Sequence, residues 1–116
     1  MSDIKNLTKK VVKFRDDRDW KQFHDPRNSS MALVSEAVEV MDEIKFKSDK
    51  QIEDYLKTKK SKIGDELSDV LFWVLLIAHD LNIDIVKQFK SKMKENKQKY
   101  PVEKSRGKNT KYTELK

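Results

Sequence analysis

Five acidic side chains lie in two segments of this chain at spacings that bring carboxylates together on a helix. Glu36, Glu39 and Glu43 lie in the first segment, and Glu66 and Asp69 lie in the second. At 100° per residue, Glu43 lies about 20° and Glu39 about 60° from Glu36 around a helix. Asp69 lies about 60° from Glu66 by the same measure. Both sets border the apolar stripe of their segment, where a carboxylate is costly unless something positive meets it.

A divalent cation that carries a phosphate substrate is one such partner. Glu-x-x-Glu on one helix and Glu-x-x-Asp on another form the all-oxygen cluster that Mg²⁺ prefers. The ion would offset the repulsion, bind phosphate oxygens and lower the pKa of a bound water. These motifs therefore predict a magnesium site formed by Glu36, Glu39, Glu66 and Asp69. The alternative is a pair of ordinary solvated acidic helix faces.

Other catalytic schemes lack their residues. The chain has no cysteine and no Gly-x-Ser-x-Gly motif, and its two glycines, Gly64 and Gly107, do not form a phosphate-binding loop. A ferritin-like di-iron site needs Glu-x-x-His, and neither His24 nor His79 has a glutamate three residues before it. An all-oxygen site with a redox-inert metal and attack by water is the chemistry that remains.

The composition predicts one all-α domain. Of 116 residues, 36% are hydrophobic and 40% charged, with only two glycines and two prolines. So small an apolar fraction in a short chain also predicts that subunits bury apolar surface against one another. Apolar periodicity and capping residues predict helices over 3–15, 29–45, 49–60, 62–80 and 83–100. Residues 15–28 are expected to be irregular because Pro26 interrupts them, and residues 102–116 to be extended and mobile.

The formal net charge of +6 comes from the C-terminal quarter. Residues 87–116 hold 11 Lys and Arg against 3 acids, whereas residues 1–86 hold 15 against 17. We therefore divide the chain into a helical domain over 1–100 and a basic tail over 101–116. The basic region leaves open a second function, a helical module that binds nucleic acid. The longest apolar run, Val70 to Ala78, is too short to cross a bilayer, and no apolar signal core begins the chain, so we expect a cytoplasmic protein.

Three stretches of the sequence resemble the MazG-like all-α NTP pyrophosphohydrolases. They are FRDDRDWKQFHDPRNSSMALVSEAVEVMDEI, GDELSDVLFWVLLIA and SKMKENKQKYPVEKSRGKNTKYTELK. The likeness covers nearly the whole chain and is greatest to the dCTP pyrophosphatase branch. The family's metal motif falls on the four acids named above. Two positions depart from that branch: Val11 stands where a nucleotide-contacting histidine is expected, and Phe46 where a second pocket tryptophan is expected.

The resemblance implies hydrolysis of a nucleoside triphosphate, dCTP or a modified dNTP, to the monophosphate and pyrophosphate, which would clear unwanted nucleotides. It implies a triphosphate held by Mg²⁺ and attack by water at the α-phosphorus. Glu39 and Glu43 are the two candidates for activating the water. Completing the metal site and holding a second ion are the other roles left open for Glu43. It also implies helical hairpins that form a four-helix-bundle-like core completed in a homodimer or homotetramer. Binding of nucleic acid or of a membrane is not expected. The candidate substrate-binding residues are Trp20 for the base, Trp73 near the sugar, and His24, Lys92, Asn96 and Tyr100.

Overall fold

The computed structural model describes residues 2–116, and that range contains helices and no strand. The all-α prediction is confirmed, whereas completion of a bundle by oligomerisation stays a prediction. The helices are α1 (Asp3–Asp17), α2 (Pro26–Asp42), α3 (Asp49–Asp80), α4 (Ile85–Lys99) and the short α5 (Val102–Ser105). Single 3₁₀ turns form at Lys21–Phe23 and Tyr112–Glu114.

Side-chain caps determine where the four long helices begin. The oxygens of Ser2, Asp25, Ser48 and Asp84 accept hydrogen bonds from backbone N–H groups three residues later. Ser48 also forms a reciprocal capping box, in which the Gln51 side chain accepts from the Ser48 N–H at 2.8 Å. These bonds satisfy donors that the first turn of a helix otherwise leaves unpaired.

Left-handed residues follow the ends of the first three helices. Asp19 follows α1 at φ 54°, Phe46 follows α2 at φ 64°, and Asn82 follows α3 at φ 57°. Asp and Asn adopt this conformation with little penalty, but a bulky residue such as Phe rarely does. The helix α4 ends at Lys99 because Pro101 disfavours helical backbone at Tyr100.

The structure corrects several predicted boundaries. The second helix begins at Pro26, with Asp25 rather than Asn28 or Ser29 as its cap, because Pro is favoured at the first helical position. It ends at Asp42 instead of Lys45, and α1 continues to Asp17. Asp84, not Asn82, caps α4. The predicted helices 49–60 and 62–80 follow one another within α3, and the predicted break between them is present as a bend at Lys59 (φ −128°, ψ 21°), slightly earlier than expected. The tail contains α5 and a 3₁₀ turn and is therefore not extended throughout.

The chain divides into two compact units. The first ends at Asn82 and contains α1, α2 and α3, with α1 and α2 both packed on α3. The second is Ile83–Lys116 and contains α4, α5 and the last 3₁₀ turn. The predicted boundary between a domain and a tail at residue 100 lies inside this second unit and stays a prediction. No helix among residues 2–116 is long and apolar enough to cross a membrane.

The core of the first unit combines apolar packing with a buried ion pair. Leu75, Leu76 and Ala78 of α3 are its buried hydrophobic side chains. Arg15 of α1 is 1% exposed, and its Nη1 donates to both carboxylate oxygens of Asp80 at 2.8 and 2.6 Å. Its Nε donates to Asp16 at 3.1 Å. The pair joins the end of α1 to the end of α3.

Replacing Asp80 by Ala should destabilise the protein by about 3 kcal/mol, because it leaves the buried guanidinium without its main partner. The matched control is Asp17→Ala, which breaks the exposed ion pair between Lys13 and Asp17 (2.6 Å) and should cost less than about 1 kcal/mol. Urea unfolding measures both values. Equal losses in the two variants would contradict a stabilising role for the buried pair.

Candidate active site

Four carboxylates from the two packed helices converge in the first unit. Glu36 and Glu39 project from α2, and Glu66 and Asp69 project from α3. One carboxylate oxygen of each lies within 4.8 Å of one oxygen of every other. The i, i+3 spacing places the two acids of each helix on one face, and the packing of α2 on α3 brings the two faces together.

The electrostatics of this cluster are unfavourable without a cation. Burial, followed by a hydrogen bond with Glu39 and by the charges of Glu39 and Asp69, raises the pKa of Glu36. The pKa of Glu66 is raised to about 7, mainly by a hydrogen bond with Glu39, then by burial and by neighbouring carboxylates. Oε2 of Glu36 is buried without a hydrogen-bond partner. Carboxylates this close together retain protons unless a cation takes the place of the protons.

The donor set fits a hard divalent cation. It consists of carboxylate oxygens alone, which suits Mg²⁺, Mn²⁺ or Ca²⁺ better than softer metals. Glu36 and Glu66 are half-buried, whereas Glu39 and Asp69 are exposed. These four carboxylates would hold such a cation, which would supply positive charge for phosphate oxygens at the exposed side of the site. The unpartnered oxygen of Glu36 is the atom that such an ion would satisfy.

Glu43 lies beside the cluster and has partners of its own. The Tyr55 hydroxyl donates a short hydrogen bond to Oε2 of Glu43, and Nζ of Lys62 lies 4.0 Å from Oε1. The hydrogen bond to Glu43 raises the pKa of Tyr55 to about 12, which keeps the phenol a donor. Glu43 also contributes to the raised pKa of Glu66, so its charge is felt inside the cluster. Its predicted catalytic role, like that of Glu39, stays a prediction.

Aromatic side chains continue from the cluster along α3. The rings of His24 and Trp73 meet edge to face with centroids 5.1 Å apart, so the structure brings these two candidates together. Trp20 packs edge to face on Phe14 at 5.7 Å. Burial, followed by the charge of Arg15, lowers the pKa of His24, so its ring is neutral at pH 7. The roles of Trp20, His24 and Trp73 in binding substrate stay predictions.

The other three candidate substrate residues belong to the second unit. Lys92 lies 3.5 Å from Glu95 on α4, and Asn96 is half-buried one turn later. The hydroxyl of Tyr100 accepts a hydrogen bond from the backbone N–H of Tyr112 at 3.2 Å, and the two rings pack edge to face. Their contact with a nucleotide remains a prediction, as does binding of nucleic acid by the basic region.

Several residues around the site act through tertiary contacts and carry no clear signal in the local sequence. Tyr55 and Lys62 contact Glu43 only because the loop after α2 folds α3 back on it. Arg15 and Asp80 are 65 positions apart, and no local pattern pairs them. The one local signal for the contacts with Glu43 was that a capped helix lies on each side of the loop between α2 and α3.

Known proteins are similar to this chain in sequence and in fold. Residues 34–115 match the model of the MazG-like family. A protein named dCTP pyrophosphatase 1 from Rattus norvegicus is 38% identical over 117 residues, and the human protein of that name is 34% identical. Each match covers 99% of this chain and 67% of the relative.

A solved structure gives an independent comparison of the fold. The crystal structure of a pyrophosphatase from Archaeoglobus fulgidus DSM 4304 matches at a TM-score of 0.79 and 26% identity. The match covers 87% of this chain and 94% of that one. These findings confirm the resemblance seen in the sequence, and the chain belongs to the MazG-like family.

Proposed function

We propose that this protein hydrolyses a deoxynucleoside triphosphate to the monophosphate and pyrophosphate, with Mg²⁺ as cofactor and dCTP or a modified dNTP as substrate. The convergence of four carboxylates on one point, with an unpartnered oxygen on Glu36, carries the proposal. The names of the relatives, dCTP pyrophosphatase 1, support the reaction and the base. Removal of unwanted deoxynucleotides is the biological role that this chemistry suits.

The four acids of the cluster have different positions in the proposed site for Mg²⁺ and triphosphate. Mg²⁺, when bound, supplies the positive charge that holds triphosphate oxygens beside the carboxylates. Glu36 and Glu66 are half-buried and fix the inner side of the site, and Glu39 and Asp69 face the solvent from which substrate arrives. Placing the α-phosphorus next to an oriented water converts the attack into an effectively intramolecular step.

Glu39 and Glu43 are the two acids that we propose for accepting a proton from the attacking water. Glu39 sits within the cluster, where one of its oxygens lies within 4.8 Å of an oxygen of Glu66. Glu43 lies at its edge, where Tyr55 and Lys62 hold its carboxylate in one orientation. A base outside the ligand set can be removed without loss of the metal, and this difference separates the two candidates experimentally.

We also propose that the protein is a homodimer or homotetramer. Met31, Val34, Val38 and Met41 form an exposed apolar stripe along one face of α2. Phe46 follows them and is 96% exposed in a left-handed conformation. Among residues 2–116, only three hydrophobic residues are buried, so one subunit alone buries little apolar surface. A second copy covering the α2 stripe supplies the missing burial.

Glu36→Gln and Asp69→Asn should each reduce pyrophosphate release from dCTP at least about 100-fold, because each removes a charged metal ligand. Glu43→Gln should lower kcat if Glu43 is the base, and should preserve the rise in melting temperature that Mg²⁺ produces. Glu53→Gln, on the exposed face of α3, is the control and should behave as the wild type. Normal activity in Glu36→Gln and Asp69→Asn would refute the proposed function.

The stability of the metal-free protein should fall as pH rises from about 4.5 to about 7. Glu66 has a pKa of about 7 in the folded chain against an ordinary 4.5, so the folded state binds the proton more tightly and loses that advantage as the proton leaves. Stabilisation by Mg²⁺ should grow over the same interval, because the ion displaces the proton. Thermal melts with EDTA or Mg²⁺ measure both effects, and Glu66→Gln should flatten them. A pH-independent response to Mg²⁺ would contradict this coupling.

Val34→Glu should shift the protein toward a monomer, because it places a charge in the exposed apolar stripe of α2. Light scattering coupled to size exclusion measures the mass. Asn6→Glu, on an exposed position of α1, serves as the control and should retain the wild-type mass. A wild-type protein that is monomeric at every concentration would rule out the proposed assembly.

A further inference from the structure

Lys62 lies on the carboxylate face of α3, at the end of a run of lysines. Residues 57–62 contain four lysines. After the bend at Lys59, helix geometry places Lys62 about 40° to one side of Glu66 and Lys60 about 120° to the other side. Lys62 also precedes Glu66 by only about 6 Å along the helix axis. The ammonium group of Lys62 therefore borders the four-carboxylate cluster, and that of Lys60 does not.

Two further side chains hold Lys62 beside the cluster. Nζ of Lys62 lies 4.0 Å from Oε1 of Glu43, and the Tyr55 hydroxyl donates a hydrogen bond to Oε2 of the same carboxylate. The Glu43 side chain is 17% exposed, so its position is well defined by its neighbours. The Lys62 side chain is 64% exposed, and an ammonium group has three donors. Its contact with Glu43 therefore leaves donors free for a ligand.

The proposed position of the sugar determines where the terminal phosphates of the substrate lie. Trp73, the candidate residue near the sugar, follows Asp69 by about 6 Å along α3 and lies about 40° from it around the axis. Lys62 precedes Glu66 by the same distance on the other side of the carboxylates. A nucleotide with its sugar at Trp73 and its α-phosphate at the carboxylates therefore extends its β- and γ-phosphates toward Lys62.

We propose that Lys62 is a catalytic residue that contacts the β- and γ-phosphates and stabilises pyrophosphate as it leaves. The inference rests on the proposed function and adds a residue for the departure of the product. Glu43 and Tyr55 do not contact the leaving group in this arrangement and are positioning residues for Lys62.

The charge of Lys62 suits the change that occurs at the leaving group. As water attacks, its oxygen forms a bond to the α-phosphorus and one of its protons passes to the carboxylate base. The bond between the α-phosphorus and the oxygen that bridges to the β-phosphorus breaks. That oxygen keeps the electron pair, so negative charge grows on the departing pyrophosphate. A positive group fixed beside the developing charge lowers the barrier.

Binding of the product pyrophosphate tests the contact directly. Lys62→Gln should raise the inhibition constant of pyrophosphate about tenfold, because it removes a charge-assisted contact with phosphate. Inhibition by dCMP should be unchanged, since dCMP has no β- or γ-phosphate. Calorimetric titration with pyrophosphate and Mg²⁺ measures the same loss without turnover. Wild-type affinity for pyrophosphate in Lys62→Gln would overturn the inference.

Two matched variants separate the position of the charge from its presence. Lys60→Gln removes an exposed lysine two residues away on a different face of α3 and should bind pyrophosphate as the wild type does. Lys62→Arg keeps the charge and should retain most of the affinity. The value of kcat/KM for dCTP should fall at least about tenfold in Lys62→Gln and change little in the other two variants. Equal losses in Lys60→Gln and Lys62→Gln would contradict a specific contact.

Binding of the metal alone distinguishes a role on phosphate from a role within the carboxylate cluster. Lys62 is not among the candidate metal ligands, so Mg²⁺ should raise the melting temperature of Lys62→Gln at least as much as that of the wild type. Loss of this rise would overturn the inference, because the lysine would then act by holding the cluster together. Melting curves without metal show whether the variant is folded.

The wild type separates failure of this inference from failure of the proposed function. Normal pyrophosphate release from dCTP, together with unchanged pyrophosphate affinity in Lys62→Gln, would refute the role of Lys62 alone. Absence of pyrophosphate release from every dNTP would instead refute the proposed function.

Discussion

Repulsion among four carboxylates is the constraint on which the rest of the structure depends. The chain keeps Glu36, Glu39, Glu66 and Asp69 together although none is offset by a lysine or arginine among the described residues. Helix packing must therefore supply the free energy that holds them. Buried leucines of α3 and the ion pair between Arg15 and Asp80 provide that support on the side away from the solvent. The same repulsion favours binding of a cation, because a positive ion between the carboxylates would relieve it.

The helix α3 carries several of the candidate site residues of the first unit. Its successive turns after the bend contain Lys62, the carboxylates of Glu66 and Asp69, and then Trp73. Because these residues share one face, distances between them are fixed by helix geometry and need no loop to maintain them. A rigid element of this kind positions reacting groups more precisely than loops do. The opposite side of the site is formed by α2, which contributes Glu36 and Glu39.

Local rules predicted much of this arrangement, and long-range contacts account for what was missed. Spacings of three residues predicted the convergence of the acids, because helical periodicity alone determines which side chains share a face. The break predicted near Ser61 exists as the bend at Lys59. Pro26 was interpreted as an interruption, although proline also fits the first turn of a helix. The contact of Tyr55 with Glu43 and that of Arg15 with Asp80 depend on packing that no local pattern specifies.

The bend at Lys59 divides α3 into two parts with independent registers. Tyr55 lies before the bend and reaches Glu43, whereas Lys62, Glu66 and Asp69 lie after it. Inserting one residue before the bend would rotate Tyr55 by about 100° out of reach of Glu43 and leave the later carboxylates in phase with α2. The length of α3 before the bend can thus change during evolution, and the hydrogen bond from Tyr55 to Glu43 changes with it. Glu66 and Asp69 keep their alignment with α2.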